Sequence, residues 1–253
     1  MRPRVIPVIL IDDGYVVKTT RFRKPKYIGD PINTVKLLNE KEADELSVID
    51  IQAARGRSPI DFAFVEDVVS EAFVPVSYGG GVRRVADAEK LFEIGIEKVI
   101  VNTAAHTNGA LVTQLARAYG SQAVIGGVDY STRFGRRQVV HSGSATRTKT
   151  DPVVWSRRLE ELGAGEILLT CVDREGTSTG YDLDTIEAAS ARLKVPLVAN
   201  GGARGVDDLR EAVVHGAAAA AAGSMFVYHG VHRAVLITYP QDQLLSDLFE
   251  GTA

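Results

Sequence analysis

Two glycine clusters and a few isolated carboxylates are the residues whose types and spacing could do chemistry. Tyr78-Gly79-Gly80-Gly81-Val82 resembles Asn200-Gly201-Gly202-Ala203-Arg204, and Gly79 and Gly201 lie 122 positions apart. Glycine lets backbone N–H groups approach an anion closely, and a helix that starts just beyond adds its dipole. The same offset takes Asn102-Thr103 to Ser224, with Gly223 beside it. Both pairs could supply further donors. One cluster alone reads equally well as a tight turn, but the paired placement favours two anion sites and a long, doubly anionic ligand. Asp129 follows the apolar run Val124-Ile125-Gly126-Gly127-Val128. A carboxylate there is costly to desolvate unless it is paired or used, so it is a candidate general acid/base. Asp50 is placed similarly after Leu46–Ile49. Asp173 and Glu175, in Asp173-Arg174-Glu175-Gly176-Thr177, could order a loop or receive a proton. Asp13-Gly14 reads as a turn. Beyond it, Lys18, Arg21, Arg23, Lys24 and Lys26 surround Phe22 and Tyr27, as solvated surface or as a lid over an anionic ligand. Finally, Arg4, Glu45, Lys98 and Glu166 each stand at the start of an apolar run. Two acids and two bases spaced this way read as a ring of salt bridges or as a gate.

These residues need elements to hold them. Short, often continuously apolar runs alternate with amphipathic stretches, which is how strands buried on both faces of a parallel sheet read. Strands are predicted at Val5–Ile11, Leu46–Ile51, Val74–Tyr78, Lys98–Asn102, Ala123–Asp129, Glu166–Val172, Pro196–Asn200 and Ala217–Ala222. Helices are predicted at Pro31–Lys41, Ile60–Glu71, Val85–Ile94, Gly109–Tyr119, Asp151–Leu162, Leu183–Leu193 and Val206–His215. Ser58-Pro59, Thr150–Pro152 and Asp182 supply start signals. Eight strands and about eight helices in 253 residues predict an α/β fold, a (β/α)8 TIM barrel. A doubly wound sheet binding a dinucleotide would want a glycine fingerprint after the first strand, and Asp12–Gly14 does not provide one. The 122-residue offset predicts a single domain over 1–253 built from two repeated half-barrels, 1–121 and 122–253. In such a barrel the glycine clusters, Asp50, Asp129, Asp173 and Glu175 fall at the C-terminal mouth. The Arg4, Glu45, Lys98 and Glu166 set falls at the floor.

Composition narrows the function classes. With 29 Lys plus Arg against 32 Asp plus Glu, the net charge of -3 argues against nucleic-acid binding by bulk electrostatics. The single cysteine, Cys171, makes neither an internal disulfide nor a multi-thiolate metal site. His229 and His232 lack a third ligand nearby, so no metal is expected, and no cofactor is implied. The apolar stretch in MRPRVIPVILIDDG is too short to span a membrane and has no small-residue cleavage site, so a cytoplasmic location is expected.

The chain resembles the cyclase subunit of imidazole glycerol phosphate synthase over essentially its whole length. The resemblance rests on Arg4-Val5-Ile6-Pro7, Gly14 to Lys18, Tyr78–Gly81, Val101–Ala105, Gly120-Ser121-Gln122, Gly163–Thr170, Asp173–Thr177, Gly180-Tyr181-Asp182 and Asn200-Gly201-Gly202. It implies a half-barrel duplication with two phosphate sites and a glutaminase partner docked at the barrel bottom. Ammonia would pass a gate into the barrel and react at the top in a cyclising lyase step. The gate maps onto Arg4, Glu45, Lys98 and Glu166. The phosphate loops map onto Gly80, Gly81, Asn102, Thr103, Gly176, Gly202, Gly223 and Ser224, the partner interface onto Glu97, and an aspartate after the sixth strand onto Glu175. One catalytic aspartate maps onto Asp129. The other maps onto Leu10, which cannot transfer a proton. Asp12, two residues on, is expected beyond the strand end.

The chain also resembles a paralogous branch associated with surface-polysaccharide genes. Its marks are Phe22–Asn33, Asn39–Glu42 and Gly223–Ile237. That resemblance implies an ammonia-donating subunit serving, with a glutaminase, an ATP-dependent amidotransferase that converts an N-acetyl sugar to an acetamidino sugar. The alternative is a genuine cyclase of histidine biosynthesis acting on the phosphorylated ribulosyl-formimino ribotide. A non-catalytic scaffold would be expected to show eroded glycine loops, and these loops are intact.

Overall fold

In the computed structural model, residues 2–230 and 232–251 are described. Val231, within the Gly223–Ile237 stretch quoted above, lies outside the described residues, as do Met1, Thr252 and Ala253.

Eight parallel strands close on themselves: β1 (Arg4–Asp12), β2 (Leu46–Asp50), β3 (Val76–Gly79), β4 (Lys98–Val101), β5 (Val124–Arg133), β6 (Glu166–Cys171), β7 (Leu197–Asn200) and β8 (Ala219–Ala222). Each pairs with the next, β8 pairs back to β1 from Arg4↔Ala219 to Pro7↔Ala222, and the ring is complete. Between them run α1 (Pro31–Glu40), α2 (Phe62–Ser70), α3 (Val85–Ile94), α4 (Ala110–Tyr119), α5 (Pro152–Leu162), α6 (Leu183–Ser190) and α7 (Val206–Val214), with α8 (Asp242–Phe249) after β8. The architecture is the (β/α)8 TIM barrel that the alternation predicts.

The strands serve two cores, which is why they read as unbroken apolar runs. Ile6, Val8, Leu10, Ile100, Ile125, Leu168 and Val198 fill the barrel interior with Ala219 and Ala221. The alternate residues, such as Val5, Ile9, Val99 and Ile167, pack against the helices. Four consecutive alanines prefer helix, yet β8 is strand because β7 and β1 flank it and its small side chains fit where both faces are buried.

Helix starts follow local chemistry. Asp30 and Asp151 cap α1 and α5, each followed by a proline at the first helical position. Ser58-Pro59 does not start α2. The Asp61 carboxylate accepts the Phe64 N–H at 3.1 Å and sets the start later, at Phe62. Asp182 stands before α6 but does not cap it with a hydrogen bond to backbone. Its carboxylate instead accepts from the Tyr130 hydroxyl at 2.9 Å and pairs with Arg137. One cap recurs in both halves. Asp87 accepts from the backbone N–H groups of Arg83 and Arg84, and Asp208 from those of Arg204 and Gly205.

Among the described residues, three antiparallel excursions that the sequence pattern does not predict leave the mouth. β1 continues to Asp12 and turns through Asp13-Gly14, both at positive φ, into Tyr15–Thr20 and then Arg23–Gly29. That is the two-residue turn that suits the twist of a hairpin. β5 overruns Asp129 to Arg133, pairing back with Arg136–His141 and on to Thr146–Arg147. Tyr228–His229 pairs with Ala234–Val235. Among the described residues no helix is long and apolar enough to cross a membrane.

Candidate functional site

The C-terminal ends of β4 to β7 deliver one polar side chain each to the barrel mouth. Asp129 is in register with Thr170, and Thr170 with Asn200, so these three stand side by side, while Asn102 follows β4 directly. The Asn102 Nδ2 donates to Asp129 Oδ2 at 2.8 Å, and the Asn200 Nδ2 donates to the Thr170 hydroxyl at 3.2 Å. The Thr170 hydroxyl also bonds the Asp129 carboxyl. Burial raises the Asp129 carboxyl from its ordinary 3.8 to about 7, overriding the lowering by Asn102 and Thr170. A carboxyl that titrates near neutrality is suited to move a proton. Gly127 makes this row possible: a Cβ there would lie 3.0 Å from the Asn102 Cβ.

These residues line a cavity of about 120 Å3 whose remaining wall is largely apolar: Val8, Leu10, Ile49, Ile51, Ile100 and Leu168. Leu10 is 7 % exposed and packs in the interior core. It therefore supplies wall, not a proton-transfer group. Asp12 is inside β1 rather than beyond its end, because the hairpin extends the strand. Its carboxylate accepts from Gln52 Nε2 at 2.6 Å and is not part of the cavity wall, so it does not stand in for Leu10. Asp50 caps the short helix Ile51–Ala54 through the N–H groups of Gln52 and Ala53 at 2.9 Å.

The first hairpin closes over this cavity. Its tip residue Phe22 is part of the wall, and its carbonyl accepts from Arg55 at 2.9 Å. The Arg21 N–H donates to the Glu175 carbonyl at 2.9 Å, and its side chain to the Asp173 carbonyl at 3.0 Å. Lys18, grouped in sequence with the surface cations, is instead buried, with its ammonium donating to the Val8 carbonyl. Burial lowers it to about 8, and the neighbouring Glu175 opposes that. Burial also raises Glu175, with Lys18 acting against it. Asp173 orders the second excursion, accepting the Thr132 N–H at 2.6 Å.

The glycine clusters fall into two groups. Gly80, Gly81, Asn102 and Thr103 line the cavity, whereas Gly176, Gly202, Gly223 and Ser224 do not. Gly80 has φ of 123°, and a Cβ on it would collide with the Asp50 carbonyl oxygen. Gly202 has φ of 114°, and a Cβ on it would collide with the Gly180 carbonyl. Both positions demand glycine. Ser224 Oγ is buried without a protein hydrogen-bond partner.

At the opposite end, Arg4, Glu45, Lys98 and Glu166 form a closed ring of alternating charge. Arg4 pairs with Glu45 and Glu166, and Lys98 reaches Glu45 at 3.1 Å and Glu166 at 3.0 Å. Both glutamates are buried, and Glu97 is exposed beside the ring.

With this geometry, the comparisons with known proteins decide the family. The model of the histidine biosynthesis protein family matches residues 4–233. A Pseudomonas aeruginosa protein provisionally named imidazole glycerol phosphate synthase subunit hisF2 is 43 % identical over 242 residues, covering 95 % of this chain and 96 % of that one. The imidazole glycerol phosphate synthase subunit HisF of Alkaliphilus metalliredigens is 39 % identical over 230 residues, covering 90 % and 91 %. That of Pyrobaculum aerophilum is 42 % identical over 229 residues, covering 88 % and 89 %. The chain belongs to the HisF-like family of histidine biosynthesis proteins.

For this HisF-like chain, the structure gathers Asp129, Asn102, Glu175 and the Gly80–Gly81 loop around one cavity, and places Lys18 behind it. It separates Glu97 and the ring by the full height of the barrel. Thr170, Asn200 and Arg55 were not singled out from sequence, whereas Phe22 lies in the segment read there as surface or lid. Register with Asp129 was the available signal for Thr170 and Asn200. For Arg55, which meets the hairpin tip, no sequence signal existed.

Proposed function

We propose that this HisF-like chain is the ammonia-accepting synthase subunit of a glutamine amidotransferase, specialised away from the cyclase reaction. The observation that carries the reading is the asymmetric mouth. Asp129 keeps a polar row on one side, while Leu10 makes the other side hydrocarbon, so a reaction needing a proton-transfer group on both sides of its substrate lacks one. The intact ring at the floor and the intact glycine loops at the mouth support retention of the passage and of a phosphorylated ligand. In this reading a glutaminase docks on the N-terminal face around Glu97. Ammonia passes the Arg4, Glu45, Lys98 and Glu166 gate, crosses the apolar interior and leaves at the mouth. The acceptor is an N-acetyl sugar undergoing amidination by an ATP-dependent amidotransferase of a cytoplasmic surface-polysaccharide pathway. The matching Asp87 and Asp208 caps and the paired glycine loops support one domain made of two half-barrels.

The test supplies the phosphorylated ribulosyl-formimino ribotide with an ammonium salt and follows loss of its absorbance. The proposal expects no turnover, together with stimulation of glutamine hydrolysis in a mixed complex with the glutaminase. Turnover that disappears in Asp129→Asn would establish a true cyclase lyase instead.

A further inference from the structure

We propose that the hydroxyls of Ser47 and Ser77 form a station for one neutral ammonia molecule inside the barrel, between the charged ring and the mouth cavity. The inference rests on the ammonia-donor reading and deepens it. Side chains alternate between the two faces of a strand. Leu46 and Val48 of β2 pack against the helices, so Ser47 faces the interior, as Ile49 does. Val76 and Tyr78 of β3 pack against the helices likewise, which turns Ser77 inward. Two residues before Ser47 stands Glu45 of the ring, and two residues after it stands Ile49 of the cavity wall. Ser77 is in register with Lys98 of the ring, and Gly79, two residues on, belongs to the cavity wall again. Both serines therefore occupy the layer that separates the ring from the cavity. They are also neighbours: Ser47 is in register with Ser77 on one side and with Val8 of the cavity wall on the other.

The hydrogen-bonding state of the two hydroxyls points to what they hold. Ser47 is 3 % exposed, and its Oγ has no hydrogen-bond partner among the described residues. Such a buried hydroxyl costs the fold stability unless something binds to it. Ser77, equally buried, donates to the Leu46 carbonyl at 3.3 Å, which leaves its oxygen able to accept. The pair thus offers one donor, from Ser47, and one acceptor, from Ser77. Neighbouring strands lie about 4.8 Å apart, a gap that one atom spans at about 2.9 Å from each oxygen. Ammonia fits: its lone pair accepts from Ser47 and an N–H donates to Ser77. Ammonium has no lone pair for Ser47, and the carboxylates of the ring are already paired with Arg4 and Lys98. A charge held in this layer, beside the hydrocarbon of Ile6, Val8 and Ile100, would be costly. Water shares the donor and acceptor character of ammonia, so the two are separated by experiment. The station gives ammonia hydrogen bonds partway through an interior that otherwise offers it hydrocarbon.

The experiment follows side-chain methyl signals of the full chain, without any partner, by carbon–proton correlation spectroscopy. Ammonium chloride is added at pH 9.5, where much of it is neutral ammonia, and at pH 7, where almost none is. Sodium chloride keeps the ionic strength constant. Saturable shifts of the Val8 and Ile49 methyls are expected at pH 9.5 only, with the helix-facing Ile9 methyls unmoved. Half-saturation should need at least tenfold more ammonia in Ser47→Ala. Ser47→Thr, which keeps the hydroxyl, should stay within threefold of the wild type. Both variants are checked for folding by circular dichroism. Absence of a saturable shift at pH 9.5 would show that the pair holds water alone. Equal shifts at pH 7 would show that it takes ammonium. Undiminished binding in Ser47→Ala, or a loss as large in Ser47→Thr, would show that the hydroxyl is not the ligand. Each of these results overturns the proposal. Failure here leaves glutaminase stimulation untouched, because that is read in the mixed complex.

Discussion

At the residue scale, Leu10 and Asp129 carry opposite instructions at one mouth. Leu10→Asp would place a carboxylate among Val8, Ile49 and Leu168. Its folded-state pKa would rise, so beyond a pH-independent loss from the missing Leu10 side chain the variant should lose a further amount of order 2 kcal/mol or more as pH climbs from 4 to 8. Thermal unfolding across that range checks it. Asp129 already behaves this way. Its folded value of about 7 lies above its unfolded value of about 3.9, so the fold binds the proton more tightly than the unfolded chain. Asp129 therefore costs stability progressively as pH rises through that window and no further beyond it. Asp129→Asn removes the titration. The variant should gain on the wild type by of order 2–4 kcal/mol between pH 4 and pH 7, with a level difference above. A constant difference would show that Asp129 does not hold its proton. Gly127→Ala should act on the same row from behind. Its methyl would press on Asn102, 3.0 Å away, and loosen the Asn102–Asp129 bond.

At the element scale, the excursions decide what the cavity contains, and one of them is anchored by rings. His106, on the short helix Thr103–Thr107, stacks on Trp155 of α5 at 4.1 Å and on His141 of the second excursion at 4.5 Å. Burial lowers His106 from 6.5 to about 4, with His141 adding to the effect. The unfolded chain takes up this proton first, so the stack stabilises fully above about pH 6.5 and progressively less as pH falls toward 4. His106→Phe keeps the stacking and drops the titration. It should resist acid better than the wild type, by of order 1–3 kcal/mol at pH 4, in acid-unfolding curves. The sequence disclosed the barrel strands to within two residues or so at their starts, because burial on both faces writes an unbroken apolar run such as Val99–Val101. It hid the excursions for the converse reason. Arg23–Gly29 is mostly exposed, and its only strand signals are Tyr27 and Ile28 among three charges and a proline. Lys18 was misplaced for the same reason. Alternation along Tyr15–Thr20 is masked by a strand buried on both faces. Asp129 was legible because its charge interrupts a run. Asn200 was not, because an asparagine before two glycines reads as a turn.

At the scale of the whole molecule, the barrel places its two polar constellations at opposite ends of an apolar interior, and the ring at the floor must either hold the barrel together or govern passage through it. The two roles separate energetically. Removing one member strands buried charges: Lys98→Met leaves Glu45 and Glu166, both nearly fully buried, sharing Arg4 as their one cation among the described residues. Breaking a buried pair this way costs about 3–5 kcal/mol. Removing all four charges together, as Arg4→Met, Glu45→Leu, Lys98→Met and Glu166→Leu, exchanges a desolvated ring for hydrocarbon continuous with Ile6, Ile100 and Ile125. Such replacements are often neutral or stabilising by about 1–4 kcal/mol. The fourfold variant should therefore unfold at or above the wild-type temperature, while Lys98→Met unfolds well below it. In the complex with a glutaminase, a passage function predicts that the stable fourfold variant still fails to couple glutamine hydrolysis to ammonia delivery at the mouth. Retained coupling with retained stability would make the ring a floor plug and nothing more. Lost stability in the fourfold variant would show that its charges are held for the fold itself.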